Sequence, residues 1–280
     1  MPSHRGVAWR AALQAAARSG GWSLTKIEGE TLTGVDDTRG VVLLLKDGAQ
    51  ALSLADELDA VVVISEPLCV ICNALGALYP GKDSKAYAVG AERLAAAVTL
   101  MRKGGGGVEG AALNAKFPFI GEVGRAEVDA PRVKPLDPSP LAIYADGGPK
   151  PGQSAPWEWS VFNFKTTPRS AAVPPLIDLT GRSRVIFHGP RFSMPAGEWR
   201  INLNFWLNPE GRASLLKFEW GAREDFEVLE LQLDEVGDYE VELTKRLERP
   251  GALELRAWVT SGHFLGEMKV RGATLLYAAD

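Results

Sequence analysis

The chain has 280 residues, 46% of them hydrophobic, which is enough for one large domain or two ordinary ones with a sizeable core. Its net charge of −4 and pI near 5.6 come without a long basic stripe, which argues against a general attraction to nucleic acid or to an anionic membrane. No apolar run approaches the about 20 residues needed to span a bilayer, and two cysteines are too few for a disulfide framework, so a reducing compartment is expected.

The N-terminal MPSHRGVAWRAALQAAARSG is alanine-rich, but Arg10 and Gln14 interrupt it. It reads as an amphipathic helix over Trp9 to Arg18 rather than a signal peptide. Synthesis in the cytoplasm is therefore expected, with any cell-surface or particle-surface location reached by another route. Trp22 to Glu28 reads as extended, Val41 to Leu45 as a fully buried strand, Ala49 to Leu58 as a helix and Ala60 to Ser65 (AVVVIS) as a second buried strand. A short strand at Lys85 to Val89 and a helix at Ala91 to Arg102 continue the alternation. This βαβ grammar predicts a small Rossmann-like parallel α/β domain over residues 1–115.

Motifs that carry chemistry are weak in this half. Gly76 to Asp83 (GALYPGKD) nearly spells a phosphate-binding loop, but Asp83 stands where a magnesium-holding hydroxyl is required, and Pro80-Gly81 makes a turn more simply. Gly105, Gly107 and Gly110 satisfy a G-x-G-x-x-G spacing, yet they follow a predicted helix instead of a strand, so KGGGG reads as a flexible joint. Cys69 and Cys72 form C-x-x-C, but the intervening Val70 and Ile71 favour inert burial, and no second cysteine pair supports zinc. Asp56, Asp59 and Glu66 cluster near the end of AVVVIS, where open α/β sheets place their sites, and Glu66 is the first residue to replace should an enzyme assay be positive. His4, His188 and His263 are the available imidazoles; His188 and His263 stand at a strand end and a turn.

The stretch from Pro131 to Pro156 is crowded with proline and glycine, so residues 116–156 are expected to form a linker or strap. Beyond Trp157 the pattern changes to period two. Arg184 to His188, Trp199 to Leu207, Ser214 to Trp220, Val228 to Leu233, Tyr239 to Leu243, Leu253 to Val259 and Lys269 to Tyr277 alternate between turn signals such as NPEG and RPG. Such a series predicts an antiparallel β-sandwich over residues 157–280.

Two of these strands carry unusual polar faces. Trp199, Ile201, Leu203, Phe205 and Leu207 share one side of their strand, leaving Arg200, Asn202, Asn204 and Trp206 on the other. Planar amides and a guanidinium suit paired hydroxyls, and an indole suits the apolar face of a pyranose ring. GALELRAWVTS repeats the arrangement with Glu254, Arg256 and Trp258. If both strands belong to one sheet, Trp206 and Trp258 flank a shared groove. Outward polar residues are also ordinary on any sandwich, and a tryptophan there is equally accounted for by a covering strap.

The pattern FHGPRFSMPAGEWRINLNFWL, followed by LELQLDE, YEVELT, LELRAWVTSG and GEMKVRGATLLY, resembles the carbohydrate-binding-module-like jelly rolls attached to bacterial surface-polysaccharide proteins. The resemblance covers about the last hundred residues and implies a jelly-roll sandwich. Jelly rolls of this kind sometimes hold a structural calcium, but no acidic run here has recognisable ligand spacing. The expected function is non-catalytic recognition of a bacterial surface or capsular glycan by the sandwich. The N-terminal domain is expected to anchor it to another protein or assembly, as in an adhesin or a spike on a phage-like particle. Single-sugar contacts are weak, so an oligomer is expected where adhesion must be firm. The rival is a polysaccharide-assembly enzyme acting on a sugar or activated sugar in the α/β domain, for which no nucleophile–base pair is recognisable.

Overall fold

Trp9, Leu13 and Ala17 recur at helical spacing, and they are the buried face of helix α1 (His4–Ser19). A computed structural model describes residues 4–20, 22–25, 41–43, 52–80, 82–109, 111–128, 136–165, 174–262 and 265–279, in two units, Met1–Leu136 and Asp137–Asp280. Within the first unit, Trp9 and Leu13 form a core cluster with Phe117 and Val123, and Val62, Ile64 and Val108 pack against it. Phe117 and Val123 belong to an antiparallel hairpin of β5 (Asn114–Phe117) and β6 (Gly121–Gly124) that alternation over four residues is too short to announce.

Arg125 locks the end of that hairpin. Its Nε donates to the Ala112 carbonyl at 2.8 Å, while its two terminal nitrogens donate to the Ala111 and Ala126 carbonyls at 2.9 Å. The guanidinium also lies over the Trp9 ring, 5.9 Å from the centroid. Arg125→Ala removes the donor from three carbonyls at the hairpin end and uncovers Trp9, so it is expected to cost about 1–2 kcal/mol, read as a lowered urea midpoint. A loss below about 0.5 kcal/mol would contradict this role.

The expected Rossmann-like sheet is not what the described residues form. β1 (Ser23–Thr25) pairs in parallel with β2 (Val41–Leu43), and β3 (Val62–Ser65) pairs in parallel with β4 (Gly106–Glu109), as two separate two-stranded sheets. β3 is only partly buried, because a two-stranded sheet cannot cover both of its faces. The glycine run is no joint: it feeds directly into β4, and a Cβ on Gly105 would stand 2.8 Å from the Leu100 carbonyl oxygen. The short strand expected at Lys85 to Val89 lies inside helix α3 (Asp83–Arg102), where Ala86, Tyr87, Gly90, Ala91 and Leu94 make one buried face. Helix α2 (Leu68–Leu78) buries Ile71, Cys72, Ala74 and Leu75. Of the segments Trp22 to Glu28, Val41 to Leu45 and Ala49 to Leu58, residues 26–28, 44–45 and 49–51 lie outside the described residues.

The second unit is an antiparallel β-sandwich. One sheet runs β13 (Asp225–Leu233), β12 (Ser214–Ala222), β15 (Gly251–Val259), β10 (Arg184–Met194), β8 (Asn163–Phe164). The other runs β14 (Gly237–Leu247), β11 (Gly197–Asn208), β16 (Glu267–Ala279), β7 (Ser154–Glu158), with β9 (Leu176–Asp178) also paired to β16. All seven strands expected from period two are present. The chain changes sheet between β10 and β11, β11 and β12, β13 and β14, β14 and β15, and β15 and β16, the kind of winding a jelly roll follows.

The apolar faces meet between the sheets. Phe205 of β11 packs on Phe218 of β12 at 5.4 Å between ring centroids, and Trp157 of β7 meets Trp220 of β12 at 5.9 Å, edge to face. The Trp220 indole N–H donates to the Trp199 carbonyl across the same space at 3.4 Å. At one margin Lys245 of β14, side chain buried, reaches Asp225 at 2.6 Å and Glu227 at 3.3 Å on β13, clasping the two sheets.

The proline-rich segment is structural where a strap was expected. Its described part includes β7 and a 3₁₀ segment, Ser139–Gly147, whose Leu141 and Ile143 are fully buried. The Tyr144 hydroxyl bonds the Ser193 carbonyl, and burial pushes its phenol far above the usual tyrosine range. The chain therefore divides at 136/137, and residues 137–156 belong with the sandwich.

Candidate functional site

The seven sequence-predicted contact residues fall on two different faces. β11 lies in one sheet and β15 in the other, so Arg200, Asn202, Asn204 and Trp206 project from one outer face of the sandwich while Glu254, Arg256 and Trp258 project from the opposite one. A shared groove between Trp206 and Trp258 is excluded by this topology. Period two fixes which side of its own strand a residue takes, but not which sheet the strand joins.

On the β15 side the polar groups hold one another. Glu254 is nearly buried, and its carboxylate accepts from Arg191 Nε at 3.1 Å and from Arg256 Nε and a terminal Arg256 nitrogen at 3.1 and 2.9 Å, and bonds His188 Nδ1 at 2.9 Å. Glu219 accepts from the Trp258 indole N–H at 2.9 Å and pairs with Lys217 at 2.7 Å, and Lys217 sits over the Trp258 ring at 4.8 Å. Trp258 thus has its N–H spent and one ring face covered. It is a structural part of a charged lattice.

Burial alone would raise the Glu254 carboxyl, but the Arg256 hydrogen bond and charge, the His188 bond and the Arg191 charge outweigh it and hold the group below the ordinary carboxylate range. A depressed folded value means the contribution to stability is present above the ordinary value and lost as pH falls through the folded one. Wild type is therefore expected to lose more stability than Glu254→Gln between about pH 5 and pH 3, by denaturant midpoints. Equal losses in both proteins would contradict the assignment.

On the β11 side the groups stand in a half-buried row on the outer face. Pairing register places Trp206 between Asp238 of β14 and Lys269 of β16, Asn204 between Glu240 and Gly272, Asn202 between Glu242 and Thr274, and Arg200 between Thr244 and Leu276. Asn202 donates to Glu240, and Arg271 pairs with Asp238 from the far side of β11. Among the described residues, nothing bonds the side chains of Asn204 and Trp206; Arg200 donates a terminal nitrogen to Glu198 at 3.3 Å, while its Nε and Asn202 Oδ1 are buried without a hydrogen-bond partner. Gly272 sits at a β-bulge with φ of +145°, and a Cβ there would lie 3.1 Å from the Trp157 carbonyl oxygen. The β7 backbone fills the space beside Gly272, which is why a residue without a side chain stands there. The flanking groups Asp238, Glu240, Lys269 and Thr274 were missed because cross-strand register is invisible in an isolated strand.

The remaining sequence candidates sit in the first unit or the edges of the second. Glu66 is buried against Arg5 at 3.3 Å, and Asp56 pairs with Lys103 at 2.9 Å. Cys69 is exposed and Cys72 buried within α2. Gly76 to Leu78 is the end of α2 rather than a phosphate loop, with Asp83 opening α3. Gly81, Gly110 and His263 lie outside the described residues. Among the described residues no helix is long and apolar enough to cross a membrane.

No family model and no curated protein matches the chain. Solved structures match over the C-terminal half, and carbohydrate-binding modules recur among them. A family 61 module in complex with β-1,4-galactotriose is 8% identical with a TM-score of 0.30, covering 46% of this chain and 89% of the module. A xylan-binding family 15 module is 12% identical with a TM-score of 0.31, covering 45% of this chain and 97% of the module. A chain of the T13 IBDV viral particle is 8% identical with a TM-score of 0.31, covering 46% of this chain and 32% of its own length.

Proposed function

We propose that the sandwich is a non-catalytic carbohydrate-binding domain whose glycan lies across the outer face of the β14-β11-β16-β7 sheet. One observation supports the reading: Arg200, Asn202, Asn204 and Trp206 line up half-buried on the outer face with Asn204 and Trp206 unengaged among the described residues, whereas the matching groups on the other face are spent on one another. Trp206 supplies the stacking plate and Asn204 the bidentate amide, with Glu240 and Lys269 beside them as hydroxyl acceptor and donor. Glu254, Arg256 and Trp258 have no place in this contact row. The target in this reading is a bacterial surface or capsular polysaccharide, and the N-terminal unit joins the domain to a partner protein or particle.

A glycan array probed with the full chain tests it. Selective retention on a subset of saccharides that disappears with Trp206→Ala, while circular dichroism is unchanged, is the expected result. Binding that survives Trp206→Ala and Asn204→Ala together would remove the site from this face.

A further inference from the structure

The opposite face carries a cationic cluster with a shape of its own. Arg191 occupies the β-bulge between Pro190 and Phe192, with φ of +64°, a left-handed backbone conformation that a long L side chain seldom adopts. The strained position turns its guanidinium toward Glu254, and the Nε bond to that carboxylate fixes the fork while the side chain stays 65% exposed. Arg256 is held beside it by two bonds to the same carboxylate oxygen and by the Phe226 ring, 4.2 Å from the guanidinium carbon. His188 is held by the other oxygen at 2.9 Å. One nearly buried carboxylate thus gathers two guanidinia and an imidazole, and the Lys217–Glu219 pair next to them adds no net charge. Glu219 also lies 3.9 Å from Arg256, and the exposed, pre-oriented charge of the cluster is the Arg191 fork.

The geometry points to an oxyanion-binding site on the outer face of the β12-β15-β10 strands, in which the terminal nitrogens of Arg191 bind a carboxylate or sulfate group bidentately and Arg256 and His188 border it. A planar fork whose Nε is already anchored loses little freedom on binding, which is the condition for strong charge-assisted recognition. Glu254 is the positioning residue for both arginines. The site is independent of the glycan row, which lies on the other sheet, so either proposal can fail without the other.

The test uses the isotope-labelled full chain, titrated with sodium sulfate, sodium glucuronate and neutral methyl glucoside while backbone amides and arginine Nε resonances are followed. Saturable shifts centred on His188, Arg191 and Arg256 are expected with an anion and not with methyl glucoside. The tighter of the two anions identifies a tetrahedral or a planar oxyanion as the preferred group. Arg191→Gln should weaken binding about tenfold with the circular dichroism spectrum unchanged, and Arg191→Lys should recover only part, because an ammonium keeps the charge and loses the fork. Arg271→Gln, on the opposite face, should change nothing. Shifts that fail to saturate, that scatter over the surface, or that persist unchanged in Arg191→Gln would overturn the site.

Discussion

Trp157→Ala is expected to destabilise the sandwich by about 3–5 kcal/mol, the range for truncating a large aromatic in a packed core. Trp157 is fully buried on β7 and touches Phe162, Phe192 and Trp220 edge to face at 6.4, 5.5 and 5.9 Å, so three rings lose a partner at once. Its indole N–H also donates to the Pro140 carbonyl at 3.3 Å, and losing it releases the 3₁₀ segment that covers this end of the core. The melting midpoint of the second unit should fall by about 6–20 °C, at about 2–4 °C per kcal/mol for a unit of this size. A shift of under about 3 °C would mean that β7 merely lies on the sandwich and is not one of its strands.

The two outward tryptophans should respond in opposite ways. Trp206→Ala removes an indole with no hydrogen-bond partner among the described residues, so stability should hardly change, while glycan affinity should fall at least about thirtyfold, as for an aromatic anchor worth about 2 kcal/mol. Trp258→Ala takes a donor from Glu219 and a ring from beneath Lys217, so it should cost about 1–2 kcal/mol of stability and leave glycan affinity within about twofold. Calorimetry of both variants with one saccharide from the array separates these effects. A large affinity loss in Trp258→Ala with none in Trp206→Ala would reverse the assignment of faces.

The contrast between these residues also shows what the chain makes legible. Alternation from Trp199 to Leu207 was enough to place every buried and outward side chain of β11, because a strand in a two-layer sandwich has one wet face and one dry one. The same reasoning applied to Leu253 to Val259, yet it could not tell that β15 joins the other sheet, since sheet membership depends on contacts distant in sequence. Leu141 sat in a stretch whose prolines suggested a strap, and Trp157 stood at its end, as the expected start of the sandwich. β7 tolerates Pro156 because it pairs only with β16 and leaves its outer edge unpaired. In the first unit, apolar runs such as AVVVIS gave the strands but overstated their burial, because the number of neighbouring strands is a tertiary property. Arg191 carried no local signal at all: its role arises from a bulge and from a carboxylate 63 residues away.

Mapping a bound saccharide onto the protein tests the central claim most directly. With the tightest oligosaccharide from the array and the labelled full chain, amide and side-chain shifts should concentrate on Asn204, Trp206, Glu240, Lys269 and Gly272, with intermolecular contacts between sugar protons and the Trp206 ring. Shifts concentrated on the β12-β15-β10 face, or within the N-terminal unit, would contradict the account.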